Sequence, residues 1–368
     1  MNAIVPCVSY ADGPIVEGAR TTTPFGLTDR QARFLVTVML HSGVFVGRQY
    51  AAFAGITHGQ KVHDFIETLL MRRLVTAIEL GSTGRTRIFH VHHKPLYAAI
   101  GEPDNRNRRR VTIDRTIERL MVLDGVLADR SVTWLGSERE KRRYFKQLLG
   151  DHLLRDDEYP RLVFGKRPNL TVRYFPEKLP IGYDGDHRRH VFLYLARSPS
   201  PMDFRLFILR HLELLNALGF WMIRVLFPRS LAGSMEVYKR AAYELLTNPL
   251  TPSQTEQLIW FLRQPPPLAL DASVADRARL QAVRSAFRSP RFAAIRRHWI
   301  AEGSRAVFLA ASPVARDTLD RRRASVECLE LPHAYEHLFV LARQAARRRS
   351  QNRGDEALGM SGPPPPPA

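Results

Sequence analysis

The chain has 368 residues, with 55 Lys and Arg against 36 Asp and Glu, a formal net charge of +19. Hydrophobic residues make up 45%, which excludes a disordered chain and leaves room for two or three packed domains. The excess of positive charge favours a polyanionic partner over an acidic or neutral one. Cys7 and Cys328 are far apart, which excludes a disulfide framework or a zinc ribbon and fits a reducing cytoplasm. The N-terminal sequence lacks the charged-then-apolar pattern of a signal peptide, and no apolar run approaches a membrane span. The expectation is therefore a cytoplasmic protein without a membrane partner.

Residues 1–25 read as loop. Thr28 and Asp29 are placed to cap a helix with Phe34, Leu35, Val38 and Met39 on one face, ended by Ser42-Gly43. A short helix over Arg48–Ala54 follows. Thr57 is positioned to cap a third helix, whose Val62, Phe65, Ile66, Leu69 and Leu70 fall at helical spacing. Two strands, Leu74–Leu80 and Thr86–His92, flank the turn sequence Gly81-Ser82-Thr83-Gly84. The hydrophilic stretch 101–110 reads as a linker. Helices are predicted over Thr112–Leu127 and Ser137–Leu149. From about Pro160 the texture changes to strands at Leu170–Phe175 and His190–Ala196, a helix at Met202–Leu218, a strand at Phe220–Phe227 and a helix at Ser234–Leu246. That order predicts a sheet with helices packed on it. Beyond Pro265-Pro266-Pro267 the sequence predicts arginine-studded helices, Val274–Phe287 and Pro290–Glu302, and a proline-rich tail.

The predicted class is α+β. It comprises an N-terminal winged helix-turn-helix (26–100), a helical connector (111–150), a small α/β domain (160–250), a helical C-terminal region (251–345) and a disordered tail (346–368). Three short helices followed by a two-stranded ribbon suit duplex DNA, because the third helix is narrow enough for the major groove. His58, Gln60, Lys61 and Asp64 at its start are the candidate base-facing residues. Arg85 and Arg87 on the wing are spaced to point to one side of a strand, and arginine there suits phosphate or the minor groove. Arg106, Arg108, Arg109 and Arg110 follow directly and are candidate phosphate contacts. The clusters Arg321–Arg323 and Arg347–Arg349 read singly as solvated charge and, taken together with the first, as further phosphate contacts.

The stretches LTDRQARFLVTVMLHSGVFVGRQYAAFAGI and LPIGYDGDHRRHVFLYLARSPSPMDFRLFILRHLELL resemble the replication-relaxation family of bacterial plasmids and integrative elements. The resemblance spans roughly residues 26–228. It implies a restriction-endonuclease-like core in the middle domain, with a Pro-Asp step entering a strand, an acidic strand and then a helix. Here the Pro-Asp step falls on Pro180-Ile181 and the acidic cadence on Phe192–Arg197, so Ile181, Tyr194 and Ala196 stand where carboxylates would hold a metal. Asp184, Asp186 and Glu177 are the residues that a displaced site would use, although Asp184 and Asp186 read first as turn residues.

His90 and His92 point the same way in a strand, and His333 and His337 are four apart. Both pairs lack the further ligands that zinc asks for, and they read as an exposed wing strand and a surface helix. The sequence thus predicts a non-enzymatic binder of double-stranded DNA without metal or cofactor. It would act in replication, mobilisation or their transcriptional control on a mobile element. A second copy of the chain, a relaxase or a replication protein are the protein partners compatible with this. The rival expectations are a metal-dependent nuclease with displaced carboxylates and a protein-interaction scaffold.

Overall fold

In the computed structural model, which describes residues 14–22, 25–80, 86–165, 168–264 and 274–341, the N-terminal stretch expected as loop holds a helix, α1 (Pro14–Thr22). It packs on α2 (Asp29–His41). Thr28 caps α2 as the sequence predicts: its hydroxyl accepts from the Gln31 amide, and Gln31 Oε1 accepts from the Thr28 amide at 2.9 Å. Next come β1 (Val44–Phe45), α3 (Gly47–Ala54), α4 (Gln60–Met71), β2 (Val75–Leu80), β3 (Thr86–Val91), α5 (Lys94–Ala99) and α6 (Ile113–Ala128). The strands form an antiparallel sheet in the order β1-β3-β2. Phe34 of α2 is the centre of this core, with its ring 5.2 Å from those of Phe45 and Tyr50, 5.4 Å from Phe53 and 6.2 Å from Phe65. The apolar stripe of α4 is what attaches that helix: Val62, Phe65 and Leu69 are buried.

The stretch 101–110, expected as a linker, is instead tied into this unit. Asn107, in a 3-10 turn over Arg106–Arg108, donates from Nδ2 to the carbonyls of Met39 and Leu40, both at 3.0 Å. These are carbonyls at the end of α2 that lack helical partners. Gly43 follows with φ +76, and a Cβ there would stand 2.2 Å from the Asn107 carbonyl oxygen. Both the left-handed backbone and the close approach therefore call for glycine.

The contacts divide the chain into two compact units, and the first takes in, among the described residues, both those from Pro14 to Ala128 and the segment 331–341. In that segment Leu331, Tyr335 and Leu338 are buried. Asp124 of α6 accepts from the Tyr335 hydroxyl at 2.6 Å, from Gln49 Nε2 at 2.7 Å and from both terminal nitrogens of Arg48 at 3.0 and 2.9 Å. Burial, then the Asp124 charge, pushes the Tyr335 hydroxyl far above its ordinary range, so it remains a donor.

The second unit, Asp129–Glu330, begins with β4 (Val132–Leu135) and α7 (Glu138–Leu153). Residues 111–150 are thus parted between the units. Ser137 caps α7, its hydroxyl accepting from the Glu140 amide at 3.1 Å. There follow β5 (Arg161–Phe164), β6 (Thr171–Tyr174), β7 (Ile181–Asp184), β8 (Arg189–Leu195), α8 (Met202–Ala217), β9 (Trp221–Phe227) and α9 (Met235–Thr247). Next are α10 (Pro252–Arg263), α11 (Val274–Ala286), α12 (Pro290–Glu302), α13 (Arg305–Ala311) and α14 (Val314–Asp320), and the unit closes with β10 (Ala324–Glu330). The main sheet has the order β10-β9-β8-β7-β4, with β8, β9 and β10 parallel and β7 and β4 antiparallel to their neighbours. Parallel β8 and β9 require a crossover, and α8 supplies it. Phe192, Tyr194 and Ala196 of the β8 segment share one core with Phe204, Phe207 and Ile208 of α8 and Tyr238 of α9.

The chain is therefore of mixed α+β class with a mixed sheet. The C-terminal region expected to be helical also carries β10, paired along its whole length with β9. The expected tail, 346–368, lies outside the described residues. No described helix is long and apolar enough to cross a membrane.

Candidate nucleic-acid interface

The predicted base-facing residues fall on two pieces of chain. Gln60, Lys61 and Asp64 lie in the first turns of α4 and are exposed. His58 belongs to the turn before it, and its imidazole folds toward α3: a Cβ on Gly47 would stand 2.9 Å from His58 Nε2. Thr57 does not cap α4. Gly59 holds the N-cap position and, having no side chain, accepts nothing from the first-turn amides except through its carbonyl. The apolar stripe sets the helix start two residues later than the capping chemistry suggests, because Val62 must reach the core.

The exposed side of α4 is of mixed charge. Gln60 Nε2 donates to Asp64 Oδ1 at 2.6 Å, and His63 Nε2 lies 2.9 Å from Glu67 Oε1. Held this way, Gln60 keeps its carbonyl oxygen and its second amide hydrogen for a ligand. Lys61 is exposed beside this pair, and the exposed Arg72 and Arg73 follow the helix. Met71 at the end of α4 is 76% exposed.

On the ribbon, Arg87 is exposed and stands opposite Glu79, with Nε 3.5 Å from the carboxylate. An exposed pair of this kind contributes about 0–1 kcal/mol, so a phosphate can replace the carboxylate at little cost. Arg85 and the turn 81–84 lie outside the described residues.

The arginine cluster is split by its docking. Arg109 and Arg110 are exposed, whereas Arg106 and Arg108 are half-buried. The Asn107 carbonyl faces His90 Nε2 of β3 at 3.2 Å, which brings this turn against the strand that bears Arg87. His90 is not on an exposed strand face as expected; it is 2% exposed. Burial first, then His92, Arg119 and Arg110, lowers the affinity of His90 for a proton. The Arg119 guanidinium, half-buried on α6, reaches the same Asn107 carbonyl at 3.5 Å. Nothing in the sequence marks Arg119 or Asn107, because neither breaks the helical or turn pattern around it. His333 lies outside the helical residues 336–341, so it does not share a helix face with His337. Arg321, Arg322 and Arg323 are exposed in the second unit, with Arg323 over the Phe220 ring at 5.3 Å. Arg347–Arg349 lie outside the described residues.

In the second unit the positions implied for catalytic acids are core positions. Ile181, Tyr194 and Ala196 are buried among apolar neighbours. The carboxylates that could form a displaced site have other partners. Asp184 is buried and accepts from His187 Nδ1 at 2.8 Å and Arg189 Nε at 3.3 Å, and Glu177 contacts Arg210. Asp186 is exposed in the turn between β7 and β8. Among the described residues, no group of three His, Cys, Asp or Glu stands close enough to hold a metal ion. Comparison of the chain with protein-family models, with curated proteins and with solved structures returned no match.

Proposed function

We propose that the first unit is a winged helix that binds double-stranded DNA. In this reading the chain is a non-enzymatic DNA-binding protein of a bacterial mobile element, acting in replication, mobilisation or their transcriptional control. The observation that carries it is the strand order β1-β3-β2, with α3 and α4 inserted between β1 and β2. This arrangement leaves the first turns of α4 exposed and ends in a ribbon with an outward arginine. In a helix-turn-helix, those first turns are the part that meets base edges. The start of α4, which no N-cap side chain closes, Lys61 beside it, Arg87, and exposed Arg109 and Arg110 supply donors and charge for phosphates.

The second unit then serves as a scaffold related in topology to nucleases. The succession of β7 after Pro180, β8 and α8 follows the pattern that the family resemblance implies. Hydrolysis of a phosphodiester needs carboxylates to hold a metal against developing charge. Buried apolar and phenolic side chains at 181, 194 and 196 offer none.

The test is a fluorescence-anisotropy titration of duplex DNA across salt concentrations, with the parent and a Lys61→Ala/Arg87→Ala variant. Two lost phosphate contacts should reduce the salt slope by about 2. Binding by the parent that ignores salt, or a variant indistinguishable from it, refutes the interface. One observation favours a second reading, a winged helix used for protein contacts: Met71, Asp64 and Glu67 make the face of α4 partly apolar and acidic. Loss of self-association in a Met71→Ser variant that keeps DNA affinity would support that use.

A further inference from the structure

The hairpin β5–β6 is tied to the second unit at its base. Phe175, just after β6, is 3% exposed and has φ +45. Its amide donates to the Pro160 carbonyl at 2.7 Å, closing the base of the hairpin. Its ring packs 6.1 Å from Phe145 and 6.4 Å from Tyr159. A left-handed phenylalanine costs roughly 1–2 kcal/mol, which this packing offsets. The Tyr174 amide donates to Glu138 Oε1 at 3.1 Å, and Arg142 lies over the Tyr174 ring at 4.0 Å.

Beyond the base the ribbon is bare. Val163, Phe164, Leu170 and Val172 are 49, 47, 46 and 40% exposed. The register pairs Val163 with Val172 and Phe164 with Thr171, so Val163, Leu170 and Val172 occupy one face and Phe164 the other. The Arg173 guanidinium lies over the Phe164 ring at 5.3 Å. From Pro160 to Pro176 the sequence holds Arg161, Lys166, Arg167 and Arg173 and no Asp or Glu; Lys166 and Arg167 lie outside the described residues.

We infer that this hairpin is a DNA-binding arm, a second contact that enters the minor groove and sets Val163, Phe164 and Val172 against the sugars and base steps. The inference rests on the DNA-binding reading above. Apolar residues on both faces suit insertion, because a groove contacts a ribbon on both sides, whereas a flat protein partner covers one. A second copy of the hairpin would bring like charges together. A bilayer would leave the outer backbone groups of both strands without partners. Arg161, at the base, is paired with Glu302 at 3.7 Å; a minor groove offers phosphates to Arg173 and sugar walls to the valines, and apolar wedges there partly unstack and bend the duplex.

The test uses the full chain and a Val163→Thr/Phe164→Ser/Val172→Thr variant, threonine being chosen to preserve strand propensity. Affinity is read by anisotropy, and bending by energy transfer between dyes on the two ends of a short duplex. An unchanged thermal midpoint establishes that the variant is folded. The arm predicts binding weakened about tenfold or more and loss of the bend. Equal binding and bending by parent and variant, while Lys61→Ala/Arg87→Ala loses affinity, overturns the arm and leaves the DNA-binding reading intact. A parent that binds no duplex overturns both. Preference for phosphatidylserine vesicles over DNA, lost in the hairpin variant, assigns the ribbon to membranes and also overturns the arm.

Discussion

Lowering the pH from 7 to 5 should destabilise the second unit by a calculable amount. His190, His211 and His298 are buried there. Burial pushes His190 down to about 4 and His211 to about 3. Burial, then Arg210 and Arg305, pushes His298 down to about 4. Each stays neutral in the folded state through this range, while in the unfolded chain each takes up a proton below about 6.5. The unfolded state therefore binds more protons as pH falls, and stability declines from about pH 6.5 toward the folded values. The loss is about 1.8 kcal/mol per histidine between pH 7 and 5, or about 5.5 kcal/mol for the three.

Glu213 works in the opposite sense. Burial, then Glu158 and Glu302, raises it to about 7 against the pull of Arg305, so it gains a proton in the folded state first and returns about 2 kcal/mol. Glu140, also raised by burial, adds in the same direction. The net loss of about 3 kcal/mol corresponds to a fall of about 6–12 °C in thermal midpoint for a domain of this size. The chain's four tryptophans, Trp134, Trp221, Trp260 and Trp299, all lie in the second unit, so their fluorescence reports on it selectively. Thermal melts at pH 7 and pH 5 should show the drop, and a His211→Gln variant should show a smaller one. A midpoint at pH 5 equal to or above that at pH 7 refutes the reasoning.

Further outcomes follow from the first unit. Asp124→Ala leaves Arg48, Gln49 and Tyr335 without their shared acceptor, and should lower stability by about 3–5 kcal/mol in a urea titration. Tyr335→Phe removes a single buried hydroxyl and should cost about 1–2 kcal/mol by the same measurement. Gly43→Ala meets both a positive φ and the Asn107 carbonyl. It should detach the 101–110 segment, seen as faster amide hydrogen exchange at residues 105–109 while α8 exchanges unchanged.

The features legible in the sequence were those set by local chemistry. Thr28 marks the start of α2, and the stripe Val62–Leu70 marks the side of α4 that packs on the core. Met202–Ala217 reads as a helix from its own periodicity. What was not legible depends on distant partners. The segment Gly101–Arg110 is hydrophilic enough to read as a linker, yet Asn107 holds the end of a helix 67 residues earlier. The alternation in Ala324–Glu330 is visible, but its strand nature rests on β9, about a hundred residues away in sequence. His90 looks like a polar strand residue and is buried because the arginine turn folds over it. The candidate interface shares this limit: the first turns of α4 follow from pattern, whereas Arg119 enters only through the fold.

The Asp124 cluster also sets a schedule. Its acceptor and two of its donors lie within the first 128 residues, but Tyr335 is translated more than 200 residues after Asp124. At ordinary rates of synthesis of about 5–20 residues per second, the first unit waits about 10–40 s for its last buried contact. Until then Leu331, Tyr335 and Leu338 have not covered their sites, and chains halted by a nonsense codon or a stalled ribosome within the second unit never complete the first. A unit that needs Leu331, Tyr335 and Leu338 to close its core is thereby withheld from aborted translation products.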